Sequence, residues 1–292
     1  MAHAKTVWIT GAASGFGLLT AAKLAQSGYV IVATTRQADA RREQITQFIS
    51  HYTQHAVVHV WELDVRHEEQ AQQIAKQIID LYGKIDIVIN NAGYAAGGFV
   101  EDVPMQAWRE QFDTNVFGAI QVCKAAIPYM REAQSGCLIQ ISSISGRMGF
   151  PGLGAYVASK FALEGYSEAL CLEMAPYGVD VVLVEPGSYR TNIWERSLEQ
   201  MHAPEGSPNH YYAGKLLASM QQNARTAPEP DPVVNLIVKI ANTADGKRKL
   251  RYPIGKGVRA VLFSRMLLPW NVFERMLWKA IGVVIRRNRH HS

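Results

Sequence analysis

The sequence predicts a doubly wound α/β fold, a parallel sheet with helices on both faces, and three observations predict it. Short β-rich apolar runs alternate with segments of helical period from residue 5 to about residue 255. Runs such as IDIVIN and VDVVLVEP are apolar at nearly every position, as strands must be when helices cover both faces of their sheet. The first run also leads directly into a glycine-rich turn, TGAASGFG, and an Ala-rich helix, LLTAAKLAQ.

Each element follows from its own pattern. TVWIT reads as the first strand and is followed by a helix to about Gln26. YVIVATT is the second, and the helix from about Asp39 places Ile45, Phe48, Ile49 and Tyr52 at i, i+3, i+4 and i+7, one apolar stripe. AVVHVWEL precedes a helix from about Glu68, IDIVIN a long helix from about Met105, and CLIQIS a helix over about 155–175. VDVVLVEP follows. The Pro-rich APEPDP at 227–232 breaks the chain before a short helix, a strand LRYPIG and a basic tail. There are no internal repeats. Residues 1–255 are expected to form one domain, including a long loop at about 188–230, and 256–292 an amphipathic helical extension.

With 292 residues and 48% hydrophobic content, the chain can bury a large core. Cys123, Cys137 and Cys171 are odd in number, lack metal-ligand spacing and sit among apolar neighbours, which suits reduced thiols in a cytoplasmic protein. MAHAKTVWITG has no signal-peptide core. The net charge of +5 is unevenly spread: residues 247–292 hold twelve Lys or Arg against Glu274 alone, a net +11, which leaves −6 for residues 1–246. A basic tail on an acidic body, without nucleic-acid motifs, argues against a nucleic-acid partner.

Two motifs carry chemistry. Gly11, Gly15 and Gly17 let the backbone turn sharply and approach a pyrophosphate lying against the free amides of the next helix, which points to a dinucleotide. YVASK sets Tyr156 and Lys160 four apart, on one helical face. Tyr211 with Lys215 and Tyr252 with Lys256 repeat that spacing, so context must choose among them. A serine, Ser143, stands 13 residues before Tyr156 at a strand end, whereas Leu198 and Lys239 hold the equivalent positions before the other tyrosines. Tyr156 is therefore the candidate.

TGxxxGxG at Thr10 to Gly17, NNAG at Asn90 to Gly93, Asn115 in FDTNVFG, Ser143 in QISSISG, YVASK, and PGSYRT at 186–191 occur in the order and spacing of the short-chain dehydrogenase/reductases. The chain resembles that family, in particular its hydroxysteroid and retinol dehydrogenase types, and the resemblance implies a Rossmann-type fold and carbonyl or alcohol chemistry. It implies that Tyr156 exchanges the proton, Lys160 favours the phenolate and holds the nicotinamide ribose, Ser143 binds the substrate oxygen, and Asn115 anchors a proton relay. Ser142 and Ser145 compete with Ser143 for that role. It also assigns the cofactor to Thr10, Gly11, Ser14, Gly15, Phe16 and Gly17, to Asp64 and Val65 at the adenine, to Asn90, Asn91, Ala92 and Gly93, and to Pro186, Gly187 and Thr191 at the carboxamide. Thr35 stands where an NAD enzyme of this pattern carries an acid, and Arg36 follows it, so NADP is expected, with NAD as the alternative. Ala13 adds no second basic or hydroxyl group.

The expectation is thus an NADP-preferring oxidoreductase acting on a lipophilic alcohol, ketone or aldehyde of steroid-, retinoid- or acyl-like character. Ile193, Trp194, Leu198 and Met201 of the long loop, with Tyr94, Phe99, Met148, Phe150 and Leu153, are candidates to line its cavity. The alternatives are a reductase of small carbonyl compounds and a non-catalytic, cofactor-binding membrane scaffold. His51, His55 and His59 fall across a predicted helix end, and no metal is expected. A homo-oligomer is expected. In the tail, Arg275, Lys279 and Arg286 share one helical face, and Phe273, Met276, Leu277, Ala280 and Val284 another; this suits an amphipathic lid at the substrate entrance or an interfacial anchor on an anionic membrane, or else packing on its own domain or on a partner subunit.

Overall fold

Thr6–Thr10, apolar or β-branched throughout, form strand β1, and all five residues are buried in the computed structural model, which describes residues 4–191 and 201–282. In chain order there follow α1 (Gly15–Gln26), β2 (Val30–Thr35), α2 (Ala38–Ser50), β3 (Val58–Glu62), α3 (Glu68–Tyr82) and β4 (Ile87–Asn90). Next come β5 (Gly97–Gly98), α4 (Met105–Phe112), α5 (Gly118–Glu132), β6 (Gly136–Ile141), α6 (Gly154–Met174) and β7 (Val179–Pro186). The chain closes with β8 (Met201–His202), α7 (His210–Thr226), α8 (Asp231–Ala241), β9 (Arg251–Ile254), α9 (Val258–Leu267) and α10 (Trp270–Ala280).

Seven strands make one parallel sheet in the order β3-β2-β1-β4-β6-β7-β9, the expected doubly wound architecture. Because side chains alternate across a strand, neighbours in sequence enter different cores. Val7, Ile9, Ile31, Ile89 and Val182 pack with residues of α1, α2 and α8, while Trp8, Val32, Val88, Leu138 and Val181 pack with residues of α3, α5 and α6. The strand order reverses direction between β1 and β4, and the crevice beyond their carboxyl ends is where such sheets bind ligands.

The helix expected from Met105 is not uniform. Asp113–Phe117 form a π-helical turn between α4 and α5, and its extra residue swings Asn115 inward. The Asn115 amide oxygen accepts from Tyr94 N–H at 3.1 Å, and its nitrogen donates to Tyr94 C=O at 3.0 Å and Ser159 Oγ at 3.3 Å. A second feature not read from the sequence is the ladder β5–β8, which ties the segment after residue 200 to the loop after β4.

The tail is two helices rather than one. Leu268 is extended (φ −84°, ψ 141°), as the residue before Pro269 prefers, and the chain turns there. Phe273 is 2% exposed, and Trp278 meets Tyr212 of α7 edge-on, with ring centroids 6.3 Å apart. The tail therefore packs on its own domain by one face. Phe263, Met266, Leu267, Trp270 and Met276 remain exposed on the rest. Val284 and Arg286, like Ile193, Trp194 and Leu198 of the long loop, lie outside the described residues.

Candidate active site

A cavity of about 1310 Å³ lies at the carboxyl ends of the central strands. Gly11, Ser14, Gly15, Phe16, Thr35, Arg36, Asp64, Val65, Asn91, Ala92, Gly93, Ser143, Tyr156, Lys160, Pro186, Gly187 and Thr191, all singled out from sequence, line it. Thr10, Gly17 and Asn115 do not. They stand one layer behind and hold the lining in place.

The glycine turn is built by close approach. Gly11 and Gly15 have φ of 65° and 54°, the left-handed region that favours glycine. A Cβ on Gly11 would sit 2.8 Å from Ala92 Cα, and one on Gly17 would sit 2.5 Å from Asn91 Nδ2 and 2.6 Å from Gly11 O. Thr10 Oγ1 accepts from the Asn91 and Ala92 amides at 3.1 and 3.0 Å, and the Asn91 side chain donates to Thr10 O and Gly11 O, both at 3.0 Å. The turn is thus bolted to the end of β4. Ser14, the N-cap of α1, does not spend its hydroxyl on capping, and the first-turn residues Gly15 and Phe16 line the cavity. This cradle fits a pyrophosphate.

At one end of the cavity Arg36 is joined by Arg41 and Arg66. Arg66 grips Asp64 at 2.6–3.1 Å and holds its carboxyl below the usual range, chiefly by hydrogen bonding. Asp64 is therefore neutralised, and the local balance is cationic. Arg41 was not read from the sequence; it belongs to the first turn of α2, one turn beyond Arg36, and that position was the available signal. The expectation that Asn90 meets the adenosine side is not met, because its amide donates inward to Ala119 O at 3.3 Å and Cys123 Sγ at 3.2 Å.

The reacting set comes from two elements. β6 ends in Ser142 and Ser143, and Ser143 caps a 3-10 turn over Ile144–Gly146, accepting from Ser145 N–H at 3.1 Å. α6 brings Tyr156 and Lys160 into the same wall, with the Lys160 ammonium 5.7 Å from the Tyr156 ring centroid. Lys160 Nζ donates to Ile141 C=O at 2.8 Å, tying the helix to the strand end. Burial raises the Tyr156 phenol above its ordinary value, and a hydrogen bond with Ser143 pulls it the other way. Burial also pushes Lys160 down to about 8, against the nearby Glu164 charge. Ser142 turns its hydroxyl to Glu164, and Ser145 contributes its amide to Ser143, so of the three serines it is Ser143 that bonds the phenol. The competing tyrosines are elsewhere: Tyr211 is 66% exposed on α7, and Tyr252 in β9 accepts from Lys249 N–H at 2.9 Å. His59 bonds Tyr82, and among the described residues no cluster of His, Cys, Asp or Glu is placed to hold a metal.

Fold and site define a nicotinamide-dependent oxidoreductase of the doubly wound class. Residues 5–202 match the short chain dehydrogenase family. The chain is 45% identical over 279 residues to the uncharacterised oxidoreductase YusZ of Bacillus subtilis, covering 95% of this chain and 98% of that one. It is 36% identical to 3-ketodihydrosphingosine reductase of Bacteroides thetaiotaomicron (93% and 96% covered) and 32% identical to human retinol dehydrogenase 8 (82% and 78%). A short-chain dehydrogenase structure from Streptomyces avermitilis superposes with a TM-score of 0.78 at 28% identity, covering 97% and 98% of the two chains. The protein belongs to the short-chain dehydrogenase/reductase family.

Proposed function

We propose that this protein transfers hydride between NADP(H) and a lipophilic secondary alcohol, ketone or aldehyde of steroid-, retinoid- or acyl-like character. The carrying observation is that Ser143, Tyr156 and Lys160 meet in one cavity with Arg36 and Arg41 at its far end and Leu153, Leu216 and Met220 in its wall. The names of the sphingoid-ketone and retinol relatives support the lipophilic class. A bound nicotinamide dinucleotide supplies or takes up the hydride and, when oxidised, adds positive charge to the site. The chain's own residues do the rest. Ser143 holds the substrate oxygen, Tyr156 gives it a proton or removes one, and the Lys160 ammonium offsets the rise that burial imposes on the phenol. Asn115, fixed by Tyr94 and Ser159, anchors the relay behind them. Arg36 and Arg41 would pair with a 2′-phosphate, which favours NADP over the alternative, NAD. Turnover of NADPH with a panel of steroid, retinoid, acyl and small carbonyl compounds tests the reading; no turnover with any lipophilic member would overturn it.

The same reading places the protein in the cytoplasm, peripheral on an anionic bilayer. Among the described residues no helix is long and apolar enough to cross a membrane. Phe263, Met266, Leu267 and Trp270 instead stand exposed among Arg259, Arg265, Arg275 and Lys279, and Ile281 at the end of α10 lines the cavity. Deleting the tail is a poor test, since Val258 packs against Gly187 and Gly255. Phe263→Ser with Trp270→Ser should abolish sedimentation with phosphatidylglycerol vesicles and leave NADPH binding intact; equal sedimentation would remove the membrane from the reading. Self-association is proposed for the side of α6 and the π turn, where Phe117, Phe161 and Leu172 are exposed, and sedimentation velocity of the dilute protein tests it.

A further inference from the structure

Behind the reacting set lies a group of charges, two of its carboxylates buried, that the chemistry above does not use. Glu164, 4% exposed, is one helical turn beyond Lys160 on α6. One of its oxygens accepts from the Ser142 hydroxyl, and the other is 3.2 Å from Arg251 of β9. Arg251 also meets Glu168 at 2.6 Å and Glu185 of β7 at 3.1 Å, and Arg147, from the turn after β6, meets Glu185 at 3.1 Å. Glu185 is wholly buried, and its Oε2 has no partner. The packing leaves no slack, because a Cβ on Gly146 would lie 2.8 Å from Glu164 Cγ, 2.9 Å from Ser142 Oγ and 3.1 Å from Lys160 O.

Such a group is a poor way to gain stability, since desolvating buried charges costs about as much as their attraction returns. Its position explains it better. It joins the strand end bearing Ser142 and Ser143, the helix bearing Tyr156 and Lys160, and β7, whose end at Pro186 lines the cavity. Of the three carboxylates, Glu164 and Glu185 are buried against the two guanidiniums and Glu168 is half exposed, and Lys160 is a further cation on α6, one turn from Glu164.

We propose that Glu164 is a positioning residue for the reaction: its carboxylate fixes the Ser142–Ser143 strand end against α6 and supplies the negative charge that keeps Lys160 an ammonium. This rests on the dehydrogenase/reductase reading above. Burial and the neighbouring Glu185 raise the Glu164 carboxyl from 4.5 to about 7, so its charge appears as pH rises through neutrality. That is the range just below the one in which Lys160 would lose its proton. The groups facing Glu164 are Ser142, Arg147, Lys160, Glu168, Glu185 and Arg251, and of these Lys160 is the one whose ammonium lies over the reacting phenol's ring, 5.7 Å from its centroid.

The test compares Glu164→Gln, which keeps the shape and loses the charge, with Glu164→Asp, which keeps the charge and loses the fit. NADPH affinity is read by fluorescence from pH 6 to 10, together with kcat on any carbonyl the wild type reduces. The proposal expects the alkaline loss of NADPH affinity to move down by about one pH unit in Glu164→Gln, the low end of what a neighbouring opposite charge does, and to stay near wild type in Glu164→Asp. It expects kcat at about pH 9 and above to fall about tenfold in Glu164→Gln, since one pH unit is a tenfold change in the ammonium fraction only beyond both titrations. A purely structural role predicts the reverse ranking, with the isosteric Gln better tolerated, and that ranking overturns the proposal, as does a Glu164→Gln profile that coincides with wild type. Should Glu164→Gln fail to fold, Ser142→Ala decides: kcat at least threefold lower with unchanged NADPH affinity sustains the strand-end tie, and unchanged kcat overturns it. A wild type that binds neither dinucleotide removes the functional reading itself, and this inference with it.

Discussion

Gly17→Ala is the sharpest test of how the cofactor turn is built. The added methyl would sit 2.5 Å from Asn91 Nδ2 and 2.6 Å from Gly11 O, one of them backbone, so neither neighbour can swing aside freely. Expelling the Asn91 amide breaks its two 3.0 Å hydrogen bonds to Thr10 O and Gly11 O. At about 0.5–1.5 kcal/mol for each bond and about 1–3 kcal/mol for overpacking, less about 1 kcal/mol regained by alanine in a helix, the net loss is roughly 1–5 kcal/mol. At about 2–4 °C per kcal/mol, the melting temperature should fall by roughly 2–20 °C, and NADPH affinity by at least about tenfold, the equivalent of 1.4 kcal/mol. Gly165→Ala on α6 is the control: a Cβ there meets nothing within 4 Å, so the substitution should stabilise by up to about 1 kcal/mol. Calorimetry and NADPH fluorescence titration read both. A Gly17→Ala protein that melts within 2 °C of wild type, roughly the effect of 1 kcal/mol or less, and binds NADPH equally would refute this account of the turn.

Tyr156→Phe should keep NADPH binding and lose at least about a hundredfold in kcat, whereas Tyr211→Phe and Tyr252→Phe change kcat little; the opposite order in a steady-state assay would reassign the proton donor. Thr35→Asp with Arg36→Ser should move preference toward NADH by roughly ten- to a hundredfold in kcat/KM, the worth of a charge-assisted contact, and a wild type that already favours NADH would contradict the Arg36 role. Lys160 offers a pH test of stability. The unfolded chain keeps that proton up to 10.5 and the folded protein releases it near 8, so wild-type stability relative to Lys160→Met should rise between those values, by up to about 3 kcal/mol. Urea midpoints that show no such convergence would place the Lys160 ammonium in a solvated setting.

The glycine turn, the strand series and the Ser143–Tyr156–Lys160 set were legible because each depends on local chemistry: a left-handed φ demands glycine, a strand covered on both faces must be apolar, and i and i+4 share a helical face. The choice among three Tyr–Lys pairs drew on the serine 13 positions upstream, in the order and spacing that the resemblance to the short-chain dehydrogenase/reductases supplied. The role of Thr10 was not legible in this way, since its hydroxyl is spent on the amides of Asn91 and Ala92, 81 and 82 residues along the chain.

The same distinction separates the remaining features. Periodicity and composition determined the elements, their alternation and the amphipathic, basic character of the tail, because those properties are carried by neighbours in sequence. Only the tertiary structure decided that Asn90 faces the core, that Arg41 joins Arg36, that the tail breaks at Pro269 and buries Phe273, and that Glu164, Glu185 and Arg251 converge behind Lys160. These depend on which strands lie side by side and on what each buried charge meets there. A glutamate on α6 and an arginine on β9 stand 87 residues apart in the chain and 3.2 Å apart in space, and it is burial, not sequence distance, that forces them to pair.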